Sequence, residues 1–311
     1  MIAVVYRQVE AGAPEHFNCR GGPARAKIMA VEITVLVDNE PSSKDSFLRT
    51  ERGHSLHVRW NGRSLLLDTG ISGLFADNAR TLGIRVTEID TVVLSHGHFD
   101  HSGGLGRFLS ENQRATVYAA CGVRERLWLS LFGLKKDVGL DPQVLVDARE
   151  RLHFVAADSE PEVGLHLLVR LPFTHPRPRG NRLLFRGTAA KRFPDDFAHE
   201  LVMALDDGDG LVVFTGCGHR GVLNMVDGVR HAFPDRPIKA LVGGFHFVGF
   251  PFLGLFVEPR NRILQIGCSL NALPIGRIVT GHCTGRNGYA ALRKVLGSRV
   301  AYAATGDTIN V

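Results

Sequence analysis

Three histidines and an aspartate fall within six residues at His96-Gly97-His98-Phe99-Asp100-His101, a ligand density suited to a bound divalent cation. In an extended or loosely turned loop His96 and His98, two apart, project to the same side, so both imidazoles can reach one ion at about 2.0 to 2.1 Å. Asp100 and His101 are adjacent and point elsewhere, which leaves them for a second ion close by. The loop thus accommodates one ion or two.

The run before it, Thr91-Val92-Val93-Leu94, carries no charge and suits a strand buried on both faces, with Ser95 opening the loop at its C-terminal edge. Open α/β sheets place their ligands at such edges. The second half of the chain repeats the arrangement three times. Leu211-Val212-Val213-Phe214 leads into Thr215-Gly216-Cys217-Gly218-His219, residues 238–242 lead to Gly243-Gly244-Phe245-His246, and Ile278-Val279-Thr280 leads to Gly281-His282-Cys283-Thr284-Gly285.

The motif His96-x-His98-x-Asp100-His101, preceded by Leu65-Leu66-Leu67-Asp68-Thr69-Gly70, resembles the metallo-β-lactamase superfamily. The resemblance runs from about Val31 to the C-terminus. It implies an α/β fold of the αββα kind, with two mixed β-sheets stacked between outer helices. It also implies that Asp68 sits beneath the metal loop and orients it without binding metal. Asp195-Asp196-Phe197 with Glu200-Leu201, then Gly-Cys-Gly-His, Gly-Gly-Phe-His and His-Cys-Thr-Gly in that order, resemble the branch containing the dihydropterin ribofuranosylaminobenzene 5'-phosphate synthases. One departure goes with it. The lactamases and lactonases commonly carry a bridging aspartate after such a strand, whereas Phe214-Thr215-Gly216 is followed by Cys217, which either supplies a thiolate ligand or packs beside the site.

The expected ligand sets are His96, His98 and His219 for one ion and Asp100, His101 and His282 for the other. Zinc comes first among the metals, with manganese and iron as alternatives. Asp100 and His246 are the candidate catalytic residues, His246 as a pocket acid or substrate contact. The expected activity is hydrolysis of a small-molecule ester, lactone, amide or phosphoester by hydroxide generated at the metals. The alternative is a synthase-like transferase, which would couple carbon to carbon with decarboxylation of a phosphorylated substrate. A nuclease ranks below both, because the extra domain found in some superfamily nucleases has no room here.

The elements that must carry these residues are legible in places. Residues 32–37 read as a strand, and Ser55-Leu56-His57-Val58-Arg59-Trp60, Asn61-Gly62 and residues 63–67 as a hairpin with a type I′ turn. Helices are expected over 75–83, 105–112, 222–231 and 287–296, and a strand over 115–120. Residues 122–192 read as a variable insertion within one domain spanning 31–311. There Leu127, Trp128, Leu131 and Phe132 suggest a helical face, while Arg177, Arg179 and Arg182 lie in a Pro- and Gly-rich loop that reads first as solvated, with forks onto phosphate or carboxylate as the alternative. His54 and His57 read as structural or surface residues, and His153, His166 and His175 are left unassigned.

A chain of 311 residues, 44% hydrophobic and 22% charged, is large enough for a two-sheet domain. Its net charge of +6 leaves an anionic substrate open, but the arginines are scattered with no run of five like charges, which reads first as a basic solvated surface and not as a nucleic-acid face. Five widely spaced cysteines do not form a disulfide framework, which favours a cytoplasmic protein. Residues 1–30 lack the features of a secretory signal and read as a flexible arm. The apolar stretch 245–257 is broken by His246, Pro251 and two glycines, too short to span a membrane; it reads as a buried strand and loop, a pocket wall, or a subunit contact in a homodimer.

Overall fold

The computed structural model describes residues 31–41, 47–248 and 258–311. The N-terminal arm and most of the apolar stretch, residues 249–257, lie outside the described residues.

Two seven-stranded mixed sheets form the frame. The first runs, edge to edge, Thr308–Asn310, Glu32–Val37, Ser55–Trp60, Arg63–Leu67, Thr91–Leu94, Thr116–Ala120 and Leu152–Val155. The second runs Val300–Tyr302, Ile275–Thr280, Ile238–Gly243, Gly210–Phe214, Val202–Asp207, Leu165–Leu168 and Ser159–Glu162. Strand alternation explains the layering. Leu65, Leu67 and Val93 point inward to Leu167, Met203, Val212 and Phe214 of the other sheet. Leu66, Val92 and Leu94 point outward to Phe75, Leu105 and Phe108 on the helices Leu74–Thr81 and Leu105–Glu111. On the far side Val213, Leu241 and Ile278 pack against Met225, Ile263 and Leu292 of helices Val222–Ala232, Arg260–Ala272 and Gly285–Leu296. Strands buried on both faces need continuous apolar runs, and Thr91–Leu94 and Gly210–Phe214 are fully buried along their length.

The hairpin falls at the expected residues, with Asn61 and Gly62 both at positive φ (50° and 76°), as a type I′ turn requires. The expected helical face at Leu127 to Phe132 is instead the strand Leu127–Leu131, turned by Phe132 and Gly133, also both at positive φ, into the strand Leu134–Asp137. Strands Leu184–Gly187 and Arg192–Pro194 complete this separate four-stranded sheet. Within the same region, Leu152–Val155, Ser159–Glu162 and Leu165–Leu168 belong to the two main sheets. No helix among the described residues is long and apolar enough to cross a membrane.

Candidate metal centre

The loop after Thr91–Leu94 of the first sheet meets the loops after Gly210–Phe214, Ile238–Gly243 and Ile275–Thr280 of the second. Two ligand clusters result. His96, His98 and His219 form one, and Asp100, His101, Cys217 and His282 the other, with the ligand atoms of each cluster within 4.8 Å of one another. Cys217 also neighbours His219 and His246, so its sulfur stands between the clusters. All the expected site residues are therefore brought together. All are buried except Asp100, whose side chain keeps 27% of its surface.

Hydrogen bonds fix how the imidazoles are presented. His101 donates from Nδ1 to Asp68 Oδ2 at 2.7 Å, His96 from Nδ1 to Ser95 Oγ at 3.0 Å, His219 from Nδ1 to Asn181 Oδ1 at 3.1 Å, and His282 from Nδ1 to Asn39 Oδ1 at 3.1 Å. In this network each Nδ1 carries the proton and each Nε2 keeps a lone pair turned into the site. The Nε2 atoms of His101 and His282 face each other at 3.1 Å, and His98 Nδ1 faces His219 Nε2 at 3.1 Å. The two Nε2 lone pairs of His101 and His282 held that close repel unless a cation lies between them. Tetrahedral ligands about 2.05 Å from an ion are about 3.3 Å apart, so the spacing fits one shared ion per cluster. His96 Nε2 is buried without any hydrogen-bond partner.

The electrostatics of the first set point the same way, whereas in the second set burial would lower His282 but Cys283, Asp100 and Asp38 outweigh it and raise the ring to about 9, so a cation there would displace a proton from it. Burial, reinforced by neighbouring imidazoles, drives His96 and His219 well below the usual histidine range and His98 to about 3, so the rings are neutral bases. Burial alone would raise Asp100, but His101 and His282 outweigh it and keep the carboxylate ionised. Burial pushes the Cys217 thiol up, a penalty that a cation beside the sulfur would reverse.

Asp68 lies beneath the loop as a hub. It accepts from Ser95 N and Ser95 Oγ, both at 2.7 Å, from His101 Nδ1, and from His54 Nδ1 at 3.2 Å. His54 is thus a buried member of the support rather than a surface residue, while His57 bonds Ser64 Oγ at 2.8 Å away from the site. His246 packs its ring 4.1 Å from that of His219, and neither of its nitrogens has a hydrogen-bond partner. Among the described residues, six non-glycine residues have positive φ, and four of them, Asp68, Phe197, His246 and His282, lie in or against the centre. Such conformations cost about 1 to 3 kcal/mol each and persist where surrounding packing holds them.

Several supporting residues were not legible in the sequence. Asn39 and Asn181 are remote from the histidines they orient, Asp38 accepts from His282 N at 2.6 Å, and His199 sits among His96, His98 and Phe197. The pair Asp195 and Glu200 belonged to a recognisable motif, but nothing local marked His199 between them. Arg177 is exposed and lies over the Phe197 ring, which stacks on His219. Arg179 and Arg182 are exposed. His166 and His175 pair with Asp206 and Asp227, and His153 packs on Tyr118, all away from the clusters. The four described cysteines are free.

Stacked mixed sheets between helix layers, with histidine, aspartate and cysteine clusters at one joined edge, define a class of α/β sandwich proteins built to hold metal ions. Residues 51–224 match the model of the metallo-beta-lactamase superfamily, and the chain belongs to that superfamily, which generally binds divalent metals. The 7,8-dihydropterin-6-methyl-4-(beta-D-ribofuranosyl)-aminobenzene-5'-phosphate synthase of Methanocaldococcus jannaschii is 26% identical over 264 residues, covering 74% of this chain and 79% of the synthase. The anti-Pycsar protein Apyc1 of Paenibacillus harenae is 30% identical over 166 residues, covering 50% of this chain and 66% of its own. Among solved structures, a metal-dependent hydrolase of the beta-lactamase superfamily superposes with a TM-score of 0.74 at 27% identity, over 90% of this chain and 99% of the other. Zn(2+)-bound PqqB from Methylobacterium extorquens shares the fold, with a TM-score of 0.55 at 18% identity, over 90% of this chain and all of the other.

Proposed function

We propose that the protein is a metal-dependent hydrolase acting on a small-molecule ester, lactone, amide or phosphoester. The observation that carries this reading is the pair of converging lone-pair clusters, His96, His98 and His219 beside Asp100, His101, Cys217 and His282. When bound there, two divalent ions, zinc first, would supply an activated water at neutral pH and offset the negative charge that develops on the substrate. The chain's part is to hold the ligands in one protonation state: Asp68, Ser95, Asn181 and Asn39 each keep an imidazole proton on Nδ1. His246, with both ring nitrogens unpaired beside His219, is placed to contact the substrate or pass a proton to its leaving group. Exposed Arg177 beside Phe197 favours an anionic substrate.

The test is turnover of an aryl ester, a lactone, an aryl amide and an aryl phosphodiester by zinc-loaded protein in water enriched in heavy oxygen. Hydrolysis should place the heavy atom in the product, stop on chelation and return on adding metal. Metal-loaded protein inert towards all four classes would defeat the reading. A second reading is supported by the 26% identity to the named synthase across 79% of its length: a synthase-like transferase, identified by release of carbon dioxide with a coupled product and no incorporated heavy oxygen.

Cys217 gives this reading a separate check. Its sulfur lies 3.1 Å from His101 Nε2 and 3.3 Å from His282 Nε2, spacings that suit a thiolate in the second set. Cys217→Ser is expected to weaken the second ion about 10- to 100-fold for zinc and to narrow the gap between zinc and manganese, since a hydroxyl is a harder and poorer ligand. Competition against a chromophoric chelator measures both.

A further inference from the structure

Residues 195–201 make ring contacts or hydrogen bonds with every member of the first ligand set, His96 and His98 through His199 and His219 through Phe197 and Glu200. His199, buried at 1% exposure, accepts the Gly97 backbone N–H on Nδ1 at 3.2 Å, and Gly97 is the single residue between His96 and His98. With Nδ1 accepting, the His199 proton is on Nε2, which donates to Asp195 Oδ2 at 3.1 Å; the other Asp195 oxygen accepts the Phe197 N–H at 2.7 Å. That tautomer has no lone pair left for a metal, so the neighbouring group His98, Asp195 and His199 is a support rather than a third ion site. Phe197 stacks flat on the His219 ring, at 4.8 Å between centroids and 4° between planes. Glu200, fully buried, accepts the His219 N–H at 2.8 Å and the Arg220 N–H at 2.7 Å. Leu201 N donates to Ser95 O at 2.8 Å, at the start of the metal loop. Gly122 lets the segment in, because a Cβ there would stand 2.6 Å from His199 N. The second set is steadied elsewhere, His101 by Asp68 and His282 by Asp38 and Asn39.

We propose that residues 195–201 form a clamp dedicated to the first ion site, with His199 as the positioning residue that sets the spacing of His96 and His98, so that the two sites can be weakened independently. The inference rests on the reading of both clusters as ion sites. The test titrates zinc alone into metal-free full-length protein by calorimetry, with His96→Gln and His282→Gln marking which binding phase belongs to which site. His199→Leu keeps the bulk but leaves the Gly97 N–H unpaired; it should weaken the first site about 10- to 100-fold and leave the second within about threefold. His199→Asn restores an acceptor for that N–H and should recover most of the loss, which a merely space-filling role would not predict. Asn39→Ala, which frees the His282 ring alone, should give the mirror result, weakening the second site first. Equal weakening of both sites by His199→Leu, or no recovery with Asn, would overturn the proposal. Should the leucine variant not fold, the asparagine variant decides: loss of the first site there overturns it as well. Wild-type protein that takes up no zinc would overturn the reading of the clusters and this inference with it.

Discussion

Asp68→Ala is expected to destabilise the metal-free protein by about 3 to 5 kcal/mol and to abolish ordered binding of the second ion. The carboxylate is completely buried and accepts four hydrogen bonds, two from Ser95 and one each from His54 and His101. Removing it strands those donors where water cannot replace it, the costliest way to break a buried polar pair. It also frees the His101 ring, which then no longer presents Nε2 to His282. Urea unfolding of the two proteins, each stripped of metal, measures the first effect. Acid unfolding supplies an independent signature. Burial alone would raise the Asp68 pKa, but His101 and His54 hold it at about 2 in the folded chain against an ordinary 3.8. A depressed carboxylate contributes stability that is present above pH about 4 and is lost as pH falls through about 2; here that contribution is about 2 kcal/mol. Asp68→Ala should therefore show a shallower fall in stability over that window than wild type. A fall of equal steepness would assign the hub's role to packing rather than charge.

Gly104→Ala should cost at least about 3 kcal/mol for a different reason. At φ −78° and ψ −5° the backbone there is one that alanine adopts freely, so conformation is no obstacle. The obstacle is space: a Cβ would stand 2.2 Å from Thr69 O and 2.3 Å from Ser72 O, both backbone atoms. Neither can yield without lifting the metal loop off the turn that carries Asp68, so the cost exceeds ordinary overpacking. Gly62→Ala provides the control. It has open space around it but φ of 76°, and should lose only about 1 kcal/mol. Equilibrium unfolding of both variants checks the ranking; a Gly104→Ala protein as stable as Gly62→Ala would show that the loop is not pressed on the turn.

What could be read in the sequence follows the range of the interactions involved. The hairpin at Asn61-Gly62 and the doubly buried strands were legible because turn chemistry and apolar runs are local. His96, His98, Asp100 and His101 stood out because six residues held four ligand-type side chains, and the strand-terminal positions of His219, His246 and His282 followed from apolar runs that end in glycine-rich loops. The hairpin at Leu127 to Asp137 did not, since Phe132 at its turn carries no turn signature and Phe132 and Leu134 are both exposed. The supports were hidden by distance along the chain. Asn39 orients His282 across 243 residues, Asn181 reaches His219 across 38, and His199 reaches Gly97 across 102. No periodicity or spacing encodes such pairs; only the closure of the two sheets on each other creates them.

That closure gives the ligand clusters a mechanical meaning. His96, His98, Asp100 and His101 belong to the end of one sheet, and His219, Cys217 and His282 to the ends of strands in the other, so neither cluster is complete within a single sheet. Each ion would act as a rivet through both layers, and any opening of the sandwich at that edge would have to release it. Metal supply and resistance to unfolding then become one quantity, with each site held at a hundred times its dissociation constant adding about 2.7 kcal/mol to the folded state.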